Sequence, residues 1–200
     1  MSAREATVLI VPGLRDHVSQ HWQTLLASRM PQAETVAPMG RENIDLDGRV
    51  AAIEAAAQRI GGPLIIVAHS AGCIMTAHWA KRTHCHQVIG ALLAAPPDLE
   101  TAMPQGYPTL EALRANGWLP VPREPLPFPS IVAASENDPL GRLDRVLELG
   151  RAWGGRIVNI GAVGHLNPAS GFGYWPQAED FIAELSTPVA SAGLKRSAGR

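Results

Sequence analysis

The sequence predicts an α/β fold, a three-layer sandwich in which helices cover both faces of a six-stranded parallel sheet. Two observations carry this. Short apolar runs rich in β-branched residues alternate with segments of helical periodicity along the chain. The runs are apolar at consecutive positions rather than alternate ones, the pattern of strands buried on both faces. Length sets the scale: 200 residues suit one domain with a full core.

The elements follow in order. "ATVLIVP" (6–12) reads as the first strand, and "HWQTLLASRM" (21–30) as a helix with Trp22, Leu25, Leu26 and Met30 on one face. "AETVAP" (33–38) is a short second strand. "DLDGRVAAIEAAAQRI" (45–60) is a helix with Val50, Ile53, Ala57 and Ile60 inward, Asp45 or Asp47 as its cap, and Gly61-Gly62 as its stop. "PLIIVA" (63–68) is the third strand, and a helix follows over 70–81. "QVIGALLAA" (87–95), "SIVAAS" (130–135) and "RIVNI" (156–160) complete the sheet, with helices over 139–152 and about 175–185.

Residues 96–129 break the rhythm. They hold nine of the 17 prolines, which remove amide donors and exclude sheet, with a short helix expected in "TLEALRANG" (109–117). The segment leaves the carboxyl end of a strand, so it either overhangs that edge or forms a rigid surface connection. "STPVASAGLKRSAGR" (186–200) has no periodicity and reads as a disordered tail to a domain spanning 1–185.

Composition excludes several functions. A formal net charge of −1 gives no attraction to nucleic acid, and no apolar run is long enough to span a bilayer. The opening "MSAREATVLIVPG" lacks a basic stretch followed by an apolar block and cleavage site. With only Cys73 and Cys85, a cytoplasmic protein with reduced thiols is the expectation.

The informative stretch is "PLIIVAHSAGCIMTAHWA" (63–80). Ser70 falls where the third strand turns into a helix. A turn this sharp displays its central side chain at the sheet's carboxyl edge and demands small residues two positions away, here Ala68 and Gly72. The common pattern has Gly at the first of these positions. The Ala71 amide, at the helix N-terminus, points where an oxyanion would form. The competing reading is a Ser that only caps the helix.

A hydroxyl nucleophile needs a base, and the base an orienting carboxylate. In sheets of this kind the chain order is Ser, acid, His, each after a strand. "ENDP" follows the fifth strand and offers Asp138, with Glu136 as competitor; Pro139 starts the next helix. "GAVGHLNPASGFG" follows the sixth and holds His165, the only His after position 86. The loop after the first strand, "VPGLRDHVSQHW", should supply the second oxyanion donor, for which the Leu14 amide is the candidate. Arg15, Asp16 and His17 lie near the cleft or form a solvated loop. His69 should pack against neighbouring loops. His84, Cys85 and His86 lack a fourth ligand, and "GLRDHV" lacks dinucleotide spacing, so neither metal nor cofactor is expected.

With these residues in place, the chain resembles the small, nearly lidless α/β-hydrolases of the retinoblastoma-binding-protein serine hydrolase type. "VPGLRDHVSQHWQ", "IIVAHSAGCIMTAHWA", "FPSIVAASENDP" and "GHLNPASGFGYWPQ" carry the resemblance, the last most specifically through Asn167, Gly171, Phe172, Gly173 and Trp175. It implies the α/β-hydrolase fold with little or no cap, Ser70, Asp138 and His165 as nucleophile, acid and base, no cofactor, and esterase-like activity on small substrates. Many relatives have Leu where this chain has Ala71, and the Leu-x-Cys-x-Glu motif for retinoblastoma-protein binding is absent. The expected function is therefore hydrolysis of small carboxylic esters through an acyl-enzyme. An amidase, thioesterase or acyltransferase would use the same residues, and a non-catalytic binding protein would use the same scaffold.

Overall fold

The computed structural model describes residues 5–15, 18–82 and 87–187. Its strands are β1 (Thr7–Val11), β2 (Ala33–Thr35), β3 (Leu64–His69), β4 (Val88–Ala94), β5 (Ser130–Ala134) and β6 (Arg156–Asn159). All pair in parallel, in the order β2-β1-β3-β4-β5-β6. The helices are α1 (Trp22–Arg29), α2 (Leu46–Ile60), α3 (Ala71–Arg82), α4 (Leu110–Ala115), α5 (Leu143–Ala152) and α6 (Gln177–Ser186).

Two cores explain the unbroken apolar strands. Leu9, Val11, Leu64, Ile66, Ala68, Ala91 and Leu93 face one way, onto α2, α3 and α5. Val8, Ile10, Ile65, Val67, Leu92 and Ala94 face the other, onto Trp22 and Leu26 of α1 and Ala178 and Ile182 of α6. Strand order reverses between β1 and β3, and the crevice beyond their carboxyl ends is where ligands bind in such sheets.

Local signals account for most boundaries. Asp45 caps α2, accepting from the amides of Asp47 and Gly48, and Gly61 ends it in the left-handed conformation at φ 60°. α5 departs from expectation: it begins at Leu143, not at Pro139. Asp138 Oδ1 accepts from the Leu140 amide at 2.8 Å, closing a turn of its own. Gly141 then lies so close to Pro96 that a Cβ would sit 2.7 Å from its carbonyl oxygen. The backbone over 138–142 is thus occupied by packing against 96–97 before the helix starts.

Part of residues 96–129 overhangs the carboxyl edge as expected, and part is buried in the core rather than forming a surface connection. Pro97, Leu99, Met103, Tyr107, Pro108 and Leu113 line the crevice. Trp118, Val121 and Phe128 sink into the core, where Trp118 Nε1–H donates to the Ile44 carbonyl at 2.6 Å. At the other end α6 runs to Ser186, one residue past the expected domain limit, and the rest of the proposed tail from 188 lies outside the described residues.

Candidate active site

Ser70 stands between β3 and α3 with φ 55°, a left-handed conformation that a non-glycine residue rarely adopts. Among the described residues the other positive-φ non-glycines are Ala95, directly after β4, and Leu166, directly after His165. Backbone strain is therefore concentrated at the carboxyl edge of the sheet. Gly72 is required by contact: a Cβ there would lie 2.4 Å from the Val11 carbonyl oxygen and 2.8 Å from that of Pro12. Position 68 has no such demand. Ala68 is a strand residue paired with Val11 and fully buried, and its methyl group belongs to the core.

The sheet brings Ser70, His165 and Asp138 together. His165 Nε2 lies 2.8 Å from Ser70 Oγ, and His165 Nδ1 lies 2.7 Å from Asp138 Oδ2. A carboxylate oxygen only accepts, so Nδ1 carries the proton and Nε2 accepts from the hydroxyl. Asp138 and His165 are 8% and 4% exposed, so the pair works in a water-poor setting. Glu136 is exposed and accepts from Asn159 Nδ2 instead, so Asp138 is the carboxylate hydrogen-bonded to His165.

The loop carrying His165 is pinned by residues the sequence reading did not single out. Asn137 Oδ1 accepts from the Gly164 amide at 2.7 Å, and Ser170 Oγ accepts from the His165 amide at 3.0 Å. Ser170 is set by a short 3₁₀ turn, Pro168–Ser170, capped by Asn167. "NPAS" is a legible cap pattern, Asn followed by Pro at the first helical position, and would have located this turn.

Three imidazoles pack in tilted contact beside Ser70. The His21 and His69 ring centroids are 4.5 Å apart, and those of His69 and His165 4.9 Å. His69 Nε2–H donates to the His165 carbonyl at 2.9 Å, so His69 packs on the neighbouring loop as expected and holds its backbone. Burial, with a lesser effect from the charge of His165, lowers the pKa of His21 to about 4. Burial first, then the charges of His165 and His21, holds His69 well below the usual histidine range. Both rings stay neutral near pH 7.

A cavity of about 140 Å³ opens beside Ser70. Its walls include Leu14, Val18, Leu99, Met103, Leu113 and Leu140, with Gln23 and Asn167 among the few polar contributors. Leu14 and Ala71 both line it, and neither amide N–H has a hydrogen-bond partner among the described residues. Gly13 brings the first loop in: a Cβ on it would be 3.1 Å from Ser70 Cβ. Among the described residues on this wall, Arg15 is the only Arg, Lys, Asp or Glu. Asp16, His17 and the His84, Cys85, His86 group lie outside the described residues. No group of side chains suited to a metal occurs among the described residues.

The serine hydrolase family profile matches residues 8–184. The chain belongs to the serine hydrolase family. This is the family of the retinoblastoma-binding-protein and YdeN-like hydrolases, as the sequence motifs implied, and it makes the protein a hydrolase. The chain is similar to a YdeN-like hydrolase of Pectobacterium atrosepticum, with 28% identity and a TM-score of 0.77 over 91% of each chain. Two more distant structures share the fold. The ydeN gene product of Bacillus subtilis is 16% identical, with a TM-score of 0.66 over 90% of this chain and 98% of that one. Est1E of Butyrivibrio proteoclasticus, solved with ferulic acid bound, is 12% identical, with a TM-score of 0.68 over 90% and 89%. No curated protein matches this serine hydrolase by sequence. No helix among its described residues is long and apolar enough to cross a membrane.

Proposed function

We propose that this hydrolase cleaves small carboxylic esters, with Ser70 as nucleophile, His165 as general base and acid, and Asp138 as the group that orients His165. The observation that carries this is the unbroken hydrogen-bond path from Ser70 Oγ through His165 to Asp138, at 2.8 and 2.7 Å. Ser70 Oγ adds to the acyl carbonyl as its proton passes to His165 Nε2. The carbonyl oxygen becomes an oxyanion and takes hydrogen bonds from the Ala71 and Leu14 amides. Collapse breaks the bond to the leaving alkoxide, which receives the proton from His165. Water then adds to the acyl-enzyme by the same route and releases the acid and Ser70.

The cavity supports an uncharged, largely apolar substrate. Its described walls carry no Asp or Glu, so a substrate ammonium would find no counter-charge there. A volume of about 140 Å³ suits an acyl group of a few carbons. Cytoplasmic residence belongs to this reading, in keeping with the buried, unpaired thiol of Cys73.

The test is labelling with a fluorophosphonate, read by intact mass, on wild type and Ser70→Ala. One adduct on wild type and none on the variant is expected, followed by turnover of short-chain esters above the matched amides. Folded wild type that takes no adduct overturns the proposal.

A further inference from the structure

We propose that Gln23 is a positioning residue for the oxyanion hole, setting the separation of the two backbone amides that form it. This rests on the reading above, in which those amides belong to Leu14 and Ala71.

Gln23 is the second residue of α1 and only 2% exposed. Its side-chain amide reaches the carboxyl ends of two strands at once. Nε2 donates to the Val11 carbonyl at 3.2 Å and to the Val67 carbonyl at 2.9 Å. Both partners are carbonyl oxygens, so the amide has one possible orientation: its NH₂ faces the strands. Oε1 is left buried with no partner among the described residues. A buried acceptor without a partner costs stability, and such groups in a native fold call for an explanation at the site they serve.

The two carbonyls stand at the roots of the two arms of the site. Val11 ends β1, and the chain runs from it through Pro12 and Gly13 to Leu14. Val67 lies near the end of β3, and the chain runs from it through the elbow to Ala71. The Val11 carbonyl is also the atom against which Gly72 is pressed, at 2.4 Å from where a Cβ would be. One hydrogen-bonding group thus ties together the strand that delivers Leu14 and the strand that delivers Ser70 and Ala71. The β1–β3 ladder runs from Thr7 and Leu64 to Val11 and Ala68, so beyond that point it no longer holds the arms in register. Gln23 binds the two strands at the end of that ladder.

The test is Gln23→Met, which keeps the length of the side chain and removes both donors. Three readouts are compared with wild type: steady-state hydrolysis of a short-chain nitrophenyl ester, inhibition by a matched trifluoromethyl ketone, and thermal unfolding. The ketone captures the oxyanion geometry. Ser70 Oγ adds to its carbonyl, the proton goes to His165, and the carbonyl oxygen becomes the bound oxyanion. A misplacement approaching 1 Å costs about 100-fold, so kcat should fall ~10–100-fold with KM nearly unchanged. The ketone's inhibition constant should rise by the same factor as kcat/KM falls. A purely structural role raises KM and lowers the unfolding temperature while leaving ketone affinity in step with ground-state binding, and that result overturns the proposal. Unchanged kcat does so too, as does a variant that fails to fold, which would assign Gln23 to the core. Fluorophosphonate labelling of wild type separates the two hypotheses. If it fails, the hydrolase reading falls. If it succeeds while Gln23→Met behaves as wild type, only the role of Gln23 falls.

Discussion

At most positions Gly is less stable than Ala; at Ser70 the order should invert. The backbone there has φ 55°. Left-handed geometry costs a residue with a Cβ about 1–2 kcal/mol and costs Gly almost nothing. Gly loses more conformational freedom on folding, an opposing cost of roughly 0.5–1 kcal/mol. The difference leaves Ser70→Gly more stable than Ser70→Ala by about 0.5–1 kcal/mol, or roughly 2 °C in Tm for a domain of this size. Both variants lose the hydrogen bond to His165, so the comparison isolates the backbone. Urea unfolding followed by tryptophan fluorescence would measure it, since Trp22, Trp79, Trp118 and Trp153 are all buried. If Ser70→Gly proves less stable than Ser70→Ala by the usual ~0.5–1 kcal/mol, the turn is not strained and the argument from backbone geometry to an elbow fails.

Two further outcomes follow. Gly72→Ala drives a Cβ to within 2.4 Å of one backbone oxygen and 2.8 Å of another, neither of which is a flexible side-chain end. It should cost about 2–3 kcal/mol and slow fluorophosphonate labelling of Ser70 by roughly 100-fold; near-wild-type values in both would show the elbow relaxes freely. Acid should destabilise the protein below pH 6.5. His21 binds its proton near 6.5 when unfolded but only at about 4 when folded, so the unfolded chain binds more protons between these values and stability falls with pH. The loss reaches roughly 3 kcal/mol at pH 4 from His21 alone, and His69 shifts in the same direction. His21 is the N-cap of α1, its Nδ1 accepting from the Gln23 amide at 3.2 Å. His21→Asn keeps a cap acceptor there and should flatten the pH dependence of the urea midpoint between pH 6.5 and 4.5; equal slopes in the two proteins would refute the assignment.

Local chemistry determined a great deal. Consecutive apolar residues in "PLIIVA" and "QVIGALLAA" meant burial on two faces, because a strand with one wet face must alternate. The small residues around Ser70, and a carboxylate and a His each placed after a later strand, singled out Ser70, Asp138 or Glu136, and His165, and the structure brings Ser70, Asp138 and His165 within hydrogen-bond distance. The chemistry of a hydrolytic site needs those groups at strand ends, and strand ends are visible in the pattern. Asp138 over Glu136 was a different matter. Two carboxylates two residues apart share a sequence context, and only the turn closed by the Leu140 amide aims one of them at His165.

The tertiary structure alone decided what depends on contacts between distant segments. The late start of α5 reflects Pro96 pressing on Gly141, across 45 residues of chain. Residues 96–129 split between cavity wall and core because Trp118 finds the Ile44 carbonyl, a partner no periodicity announces. Gln23 carried no sequence signal of its own, and His69 was expected only to pack against neighbouring loops. Their hydrogen bonds go to carbonyls 44 and 96 residues away, which the parallel crossovers deliver to the same edge of the sheet. Periodicity records which face of an element is buried; it holds no record of which distant backbone groups will meet there, because that is fixed only when the strands take their order and register.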